Sequence, residues 1–199
     1  MNEIQQTNNN HNPLNKLKIS IIRFIKSNKY PLLITLGFFL TFYFITSFHH
    51  NYWFEDDGVV YLNWGKDILN GNGKNVFAIN APVGGPILFA YLNLFFNDAF
   101  LMEKLVSLFS ATIIVFTTYY IIRNIFDSKI ALVGQLIIAF SGTLAFQAPQ
   151  AMNDLHASAL VFLAFYFITK KDLGNSQIVM SAILLGISFM LRYQAAFIF

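Results

Sequence analysis

Cysteine is absent from the 199-residue sequence, which excludes disulfides, thiolate metal sites and thiol nucleophiles together and leaves no redox compartment to read. Charge is scarce as well. Asp, Glu, Lys and Arg make up 12% of residues against 56% hydrophobic and 17% aromatic, and mean hydropathy is +0.53, a balance far more apolar than that of a soluble domain. The formal charge of +3 and pI near 9.1 are mildly basic, but the cations are unevenly placed, and no nucleic-acid partner is expected. What these shortages leave is an all-α, polytopic transmembrane protein.

The first 30 residues form a basic cytoplasmic segment. Its polar opening, "MNEIQQTNNNHNPLN", is expected to be disordered, and Lys16, Lys18, Arg23, Lys26 and Lys29 follow. Residues 31–48 are long enough to cross a hydrocarbon core that needs about 17–25 residues. They end in bulky and polar residues rather than a small-x-small cleavage site, so they read as an uncleaved anchor and not a signal peptide. Further spans are predicted over 105–122, 130–146, 155–169 and from 178 onward, five in all.

Residues 81–96 compete as a sixth span, although Pro82, Gly84, Gly85 and Pro86 interrupt their start. Charge placement arbitrates. With 81–96 on the surface, Lys and Arg divide nine to four between the two faces; with 81–96 crossing, they divide seven to six. The positive-inside rule therefore favours five spans, with the N-terminus cytoplasmic. Seven of the ten acids then fall on the outer face: Glu55, Asp56, Asp57, Asp67, Asp98, Glu103 and Asp154.

The first outer loop is far longer than a simple helix connection and should hold structure of its own. Val60, Tyr61, Trp64 and Ile68 recur at helical spacing, with Asn63, Lys66, Asp67 and Asn70 opposite and Gly71 and Gly73 at the end, which describes an amphipathic helix. A second is predicted from Pro86 through Phe96. Both suit the membrane interface.

Three consecutive acids, Glu55, Asp56 and Asp57, lead the first of these helices. Capping and attraction to the positive helix end account well for one, less well for three. Asp154 repeats the arrangement at the start of the fourth span. Two acid-led helix starts on one membrane face could converge, and a carboxylate pair there, Asp56 with Asp154, could bind a divalent cation or deprotonate a hydroxyl. Capping and chemistry stay open for each. Arg192 is placed roughly 21 Å into the fifth span, counting about 1.5 Å per residue; it either snorkels to headgroups or holds a lipid phosphate. His156, two residues after Asp154, either lines the same cleft or faces its neighbours in the bundle. His49 and His50 read as interfacial. Gln135 and Gln194 could bond between helices, and the small residues of "SGTLA" and "LLGIS" could permit close packing.

The succession "EDDGVVYLNWGKDILNG", "NAPVGGPILFAYLNLF", "NDLHASALVFLAFYF" and "LLGISFMLRYQAAFIF" resembles the N-terminal half of C-type-fold membrane glycosyltransferases, in particular the protein O-mannosyltransferase and aminoarabinose-transferase-like family. The resemblance covers residues 31–199. It sets Asp56-Asp57 at the family's acidic pair, Tyr61 and Trp64 at its aromatic positions, Asp154 at a later acid-led helix and Arg192 at a basic position. It implies sugar transfer from a polyprenyl-phosphate donor to a protein, glycan or lipid acceptor on the extracytoplasmic face of a cell or endoplasmic-reticulum membrane. Asp56, or else Asp57, would be the base; Asp154 would support the site or a metal, and Arg192 would hold the donor phosphate. Because family members continue through further spans, residues 31–199 are expected to be a fragment of such a domain. The competing classes are an accessory or structural membrane subunit and a transporter. Against the transporter stand the scarcity of ionisable groups inside the predicted spans, Arg192 apart, and the lack of a repeated half.

Overall fold

A computed structural model of the chain describes residues 13–48, 56–77, 82–151 and 153–193, without the side chains of Asp56, Asp57, Asn75 and Phe77. The described residues are helical, with no strand among them. In chain order the helices are α1 (Pro13–Ser27), α2 (Lys29–Phe48), α3 (Asp56–Leu69), α4 (Gly73–Phe77), α5 (Gly84–Phe95), α6 (Ala99–Ile125), α7 (Ser128–Ala139), α8 (Gly142–Gln147), α9 (Asn153–Ile168) and α10 (Asn175–Leu191).

Local chemistry sets several boundaries. Asp98 accepts from Leu101 N at 2.9 Å to start α6, and Asp127 accepts from Lys129 N and Ile130 N to start α7, each satisfying amides that a first turn leaves open. Gly71, at φ 82°, ends α3 in a left-handed conformation that glycine adopts without strain. Inside the apolar helices, hydroxyls fold back on their own backbone: Thr35 to Pro31 O, Thr112 to Leu108 O and Thr118 to Ile114 O, all within 2.8 Å. Such bonds let Ser and Thr sit in an apolar medium.

Two helices, α2 and α6, are long and apolar enough to cross a membrane. The others expected as spans are shorter. The stretch 130–146, predicted as one span, is two helices: Phe140 and Ser141 leave the α geometry and a Ser-Gly pair, poor at continuing a helix, restarts the chain in α8. α9 and α10 have 16 and 17 residues, about 24–26 Å at the α-helical rise. Helix α10 ends at Leu191, and Arg192 is its extended C-cap, its N–H donating to Ser188 O at 2.9 Å. The loop helices form as expected, with α5 beginning two residues before Pro86.

Helix α6 is the centre of the assembly, touching α2, α7, α9 and α5. The core joins Phe38 of α2 to Leu108, Ala111, Ile114 and Val115 of α6 and to Leu155 and Ala159 of α9. Polar bonds link the helices as well. Gln135 of α7 donates to Pro31 O and Thr35 Oγ of α2, both at 3.0 Å, the interhelix role expected of it. In α10, Ser181 and Ser188 donate to Ala164 O and Ala157 O of α9, closing an antiparallel hairpin. Of the small residues expected to permit close packing, Ser188 of "LLGIS" is fully buried against α9, while Gly142 and Gly186 face open space.

Basic residues gather at one end of the bundle. There Arg123, in the last turn of α6, donates to Asn28 Oδ1 at 3.1 Å, and the adjacent Asn124 bonds Thr169 beyond α9. The start of α6 and the start of α9 lie at the opposite end, which carries Asp98, Glu103 and Asp154.

Candidate functional site

The acidic end is assembled by close backbone approach. A Cβ on Gly58, two residues into α3 from Asp56, would come 2.5 Å from Ala151 O, just ahead of α9. One on Gly84, at the start of α5, would come 2.7 Å from Met190 O, just ahead of Arg192. Gly85 lies directly under the Asn153 amide. Three helix starts and the end of α10 therefore meet here, and glycine is what allows main chains this near one another.

Of the residues singled out from sequence, Asp154 and Arg192 meet directly. Arg192 Nε lies 2.6 Å from Asp154 Oδ1, with the side chains 29% and 24% exposed. Oδ1 nevertheless has no aligned hydrogen-bond donor, so the contact is one of charge more than of directed bonding. Its placement follows from the hairpin: Asp154 is in the first turn of α9 and Arg192 at the end of α10, where the helix dipoles favour an anion and a cation respectively. The contact with Asp154 runs through Nε, and a guanidinium carries further N–H donors on its Nη edge, in a fork that fits phosphate oxygens.

The backbone of Asp56 and Asp57 opens α3 at this end, but their side chains, and all of Glu55, His49 and His50, lie outside the described residues, as does Gln194. Tyr61 and Trp64 are in edge-on contact at 5.7 Å and pack with Phe89 of α5 and with Ala151. These aromatics hold α3 on α5 and on the segment that leads into α9.

His156 does not join Asp154. It points into the bundle, 5% exposed, where Nε2 pairs with Glu103 Oε1 and Nδ1 lies 2.9 Å from Ser110 Oγ. The imidazole thus bridges the Glu103 carboxyl and the Ser110 hydroxyl through its two nitrogens, and the ring's tautomer sets which way each bond runs. Glu103 and Ser110 had no place among the sequence candidates. Their signal was present: Glu103, Ser107, Ser110 and Thr117 recur at i, i+4, i+7 and i+14, one polar stripe on an otherwise apolar helix, and all four are buried. Lys104, 1% exposed, lies 5.0 Å from the centre of the Phe100 ring.

Asn153 was also missed. Only 2% exposed, it has neither Nδ2 nor Oδ1 hydrogen-bonded, and Gln150 Oε1 nearby in sequence is likewise unbonded. Leaving such groups unpaired costs about 1–3 kcal/mol each, which marks this end of α9 as a place where polar atoms can be taken up by something else. Among the described residues no three His, Asp or Glu side chains gather as metal ligands. An apolar cleft of about 460 Å³ lies elsewhere, between α2 and α7, and is lined by Leu33, Gly37, Phe38 and Leu136.

Compared with protein-family models, curated proteins and solved structures, the chain matches none of them.

Proposed function

We propose that this chain is a membrane glycosyltransferase-like protein of about five spans that takes a sugar from a polyprenyl-phosphate donor at its extracytoplasmic, acidic end. The observation that supports it is the meeting of the α3, α5 and α9 starts with the Asp154–Arg192 pair. An anionic donor needs cationic N–H groups at the membrane surface, and Arg192 offers its Nη edge there. In the transfer, Asp56 takes the proton of an acceptor hydroxyl, whose oxygen attacks the anomeric carbon. The bond from that carbon to the phosphate oxygen breaks, and the polyprenyl phosphate leaves beside Arg192. Asp154 holds the guanidinium in place.

For the five spans, α9 and α10 are near membrane length and share their ends with α2 and α6. The basic end, with Arg123, Lys129, Lys170 and Lys171, then faces the cytoplasm. A second reading, an accessory subunit without catalysis, is favoured by the way Asp154 and Arg192 neutralise one another and Glu103, His156 and Ser110 close on themselves.

The test is transfer of radiolabelled hexose from polyprenyl phosphate in membranes holding the full product of the reading frame. Asp56→Asn is expected to lower transfer by at least about 100-fold, as loss of a general base does, and Asp154→Asn to raise the KM for donor. Equal transfer by both variants and the wild type at matched protein levels would overturn the assignment.

A further inference from the structure

Helix α1 contributes no buried residue to the bundle, yet its sequence, "PLNKLKISIIRFIKS", is two-sided. At 100° per residue, Leu14, Leu17, Ile21, Phe24 and Ile25 occupy one arc with Lys18 at its edge, while Lys16, Arg23 and Lys26 lie opposite with Ile19 among them. The apolar side chains are open to the surroundings, from 72% for Leu14 to 44% for Phe24. A helix with this pattern in water would expose a continuous apolar stripe.

Its position is set by an elbow. Asn28, 4% exposed, donates to Phe24 O at 2.9 Å and accepts from Arg123 of α6, so the junction of α1 and α2 is pinned at the basic end of the bundle. Phe24, one turn before the elbow, borders an apolar cleft of about 330 Å³ lined by Ile113, Phe116 and Tyr120 of α6 and Leu163 and Tyr166 of α9. Backbone bonds from Asn28 N to Phe24 O and from Leu32 N to Asn28 O keep α1 joined to α2 across the junction, and Phe24 meets the bundle there.

We infer that α1 is a lipid-reading helix that lies in the interface of an anionic bilayer, its Leu14–Leu17–Ile21 face in the acyl region and its Lys16, Arg23 and Lys26 side chains at the headgroups. Two features favour a lipid surface over a protein. The apolar stripe is continuous in the chain with α2, itself apolar enough to span a membrane, and the opposite face carries only cations among its charges, which complements anionic headgroups. The inference rests on α2 being membrane-embedded, not on any sugar-transfer activity.

A chain without cysteine permits clean single-site labelling. Full-length variants Lys16→Cys, Leu17→Cys, Ile21→Cys, Arg23→Cys and, in α2, Leu36→Cys would carry an environment-sensitive fluorophore in nanodiscs of phosphatidylcholine alone or with one-third phosphatidylserine, with quencher placed on the lipid or in the water. In the anionic discs, labels at 17 and 21 should be quenched from the lipid and labels at 16 and 23 from the water. Adding Lys26→Glu and Arg23→Glu to the Ile21→Cys variant should weaken the lipid quenching severalfold, since each cation near such a surface contributes about a fivefold preference. The inference fails if labels at 17 and 21 read water while the label at 36 reads lipid. It fails equally if they are shielded from both quenchers whatever the lipid, which would put a second copy of the chain on this face. A label at 36 that reads water would remove the membrane premise and the inference with it.

Discussion

Helices α2 and α6 have nearly equal hydropathy, 1.8 and 2.0 in their most apolar windows, and opposite situations. Only 17% of the α2 window is buried, against 50% for α6. Helix α2 spreads Leu33, Leu36, Leu40 and Phe44 outward, while α6 turns Glu103, Ser107, Ser110 and Thr117 inward. Mean hydropathy cannot tell these apart. In an apolar surrounding the polar side chains are the ones that must find partners, so a helix with an ionisable, buried polar stripe is drawn to the centre, and one whose polar groups are hydroxyls that can bond their own backbone can stay at the rim.

The largest expected effect is at the centre. Glu103→Leu strips His156 Nε2 of its carboxylate and should cost about 1–3 kcal/mol, as leaving a buried polar group unsatisfied does. Heat unfolding in detergent micelles would show it as a fall in midpoint of roughly 5 °C at about 2–4 °C per kcal/mol, and Glu103→Gln, which keeps a bonded group, should recover part of it. An unchanged midpoint for Glu103→Leu would mean that the polar stripe does not make α6 central. Next comes the attachment of α2. Gln135→Leu removes two bonds to its first turn and should cost about 1 kcal/mol, given roughly 0.6 kcal/mol for an average bond between membrane helices. Faster hydrogen exchange near Thr35, with α6 unaffected, is the expected reading. Least of all should be Leu36→Ala on the open face of α2, within about 0.5 kcal/mol of wild type. A loss of several degrees there would place α2 in a core and break the contrast.

The legible parts of the fold were those written locally. The period of Val60, Tyr61, Trp64 and Ile68, the glycine at 71 and the proline at 86 each act within a few residues, and α3 and α5 form where they indicate. The break at Ser141 was missed because the apolar run continues through it, and the polar-stripe residues Glu103 and Ser110 because each looked like a lone residue near or inside a span. At the candidate site, Asp154 and Arg192 were visible as charges out of place in apolar segments, whereas Asn153 was not, being an uncharged residue at an ordinary helix start.

Composition and periodicity determined by themselves that this chain is helical, that long apolar segments follow a basic one, and that an acid-led helix opens the long loop between the first two apolar stretches. Each follows from backbone propensity and from the cost of apolar surface in water, which need no knowledge of neighbours. Only the tertiary structure decided that Asp154 faces Arg192 while His156, two residues on, turns inward to Glu103 and Ser110. On one helix those two positions point in different directions, and which direction meets a partner depends on how α9 is rotated against α6 and α10.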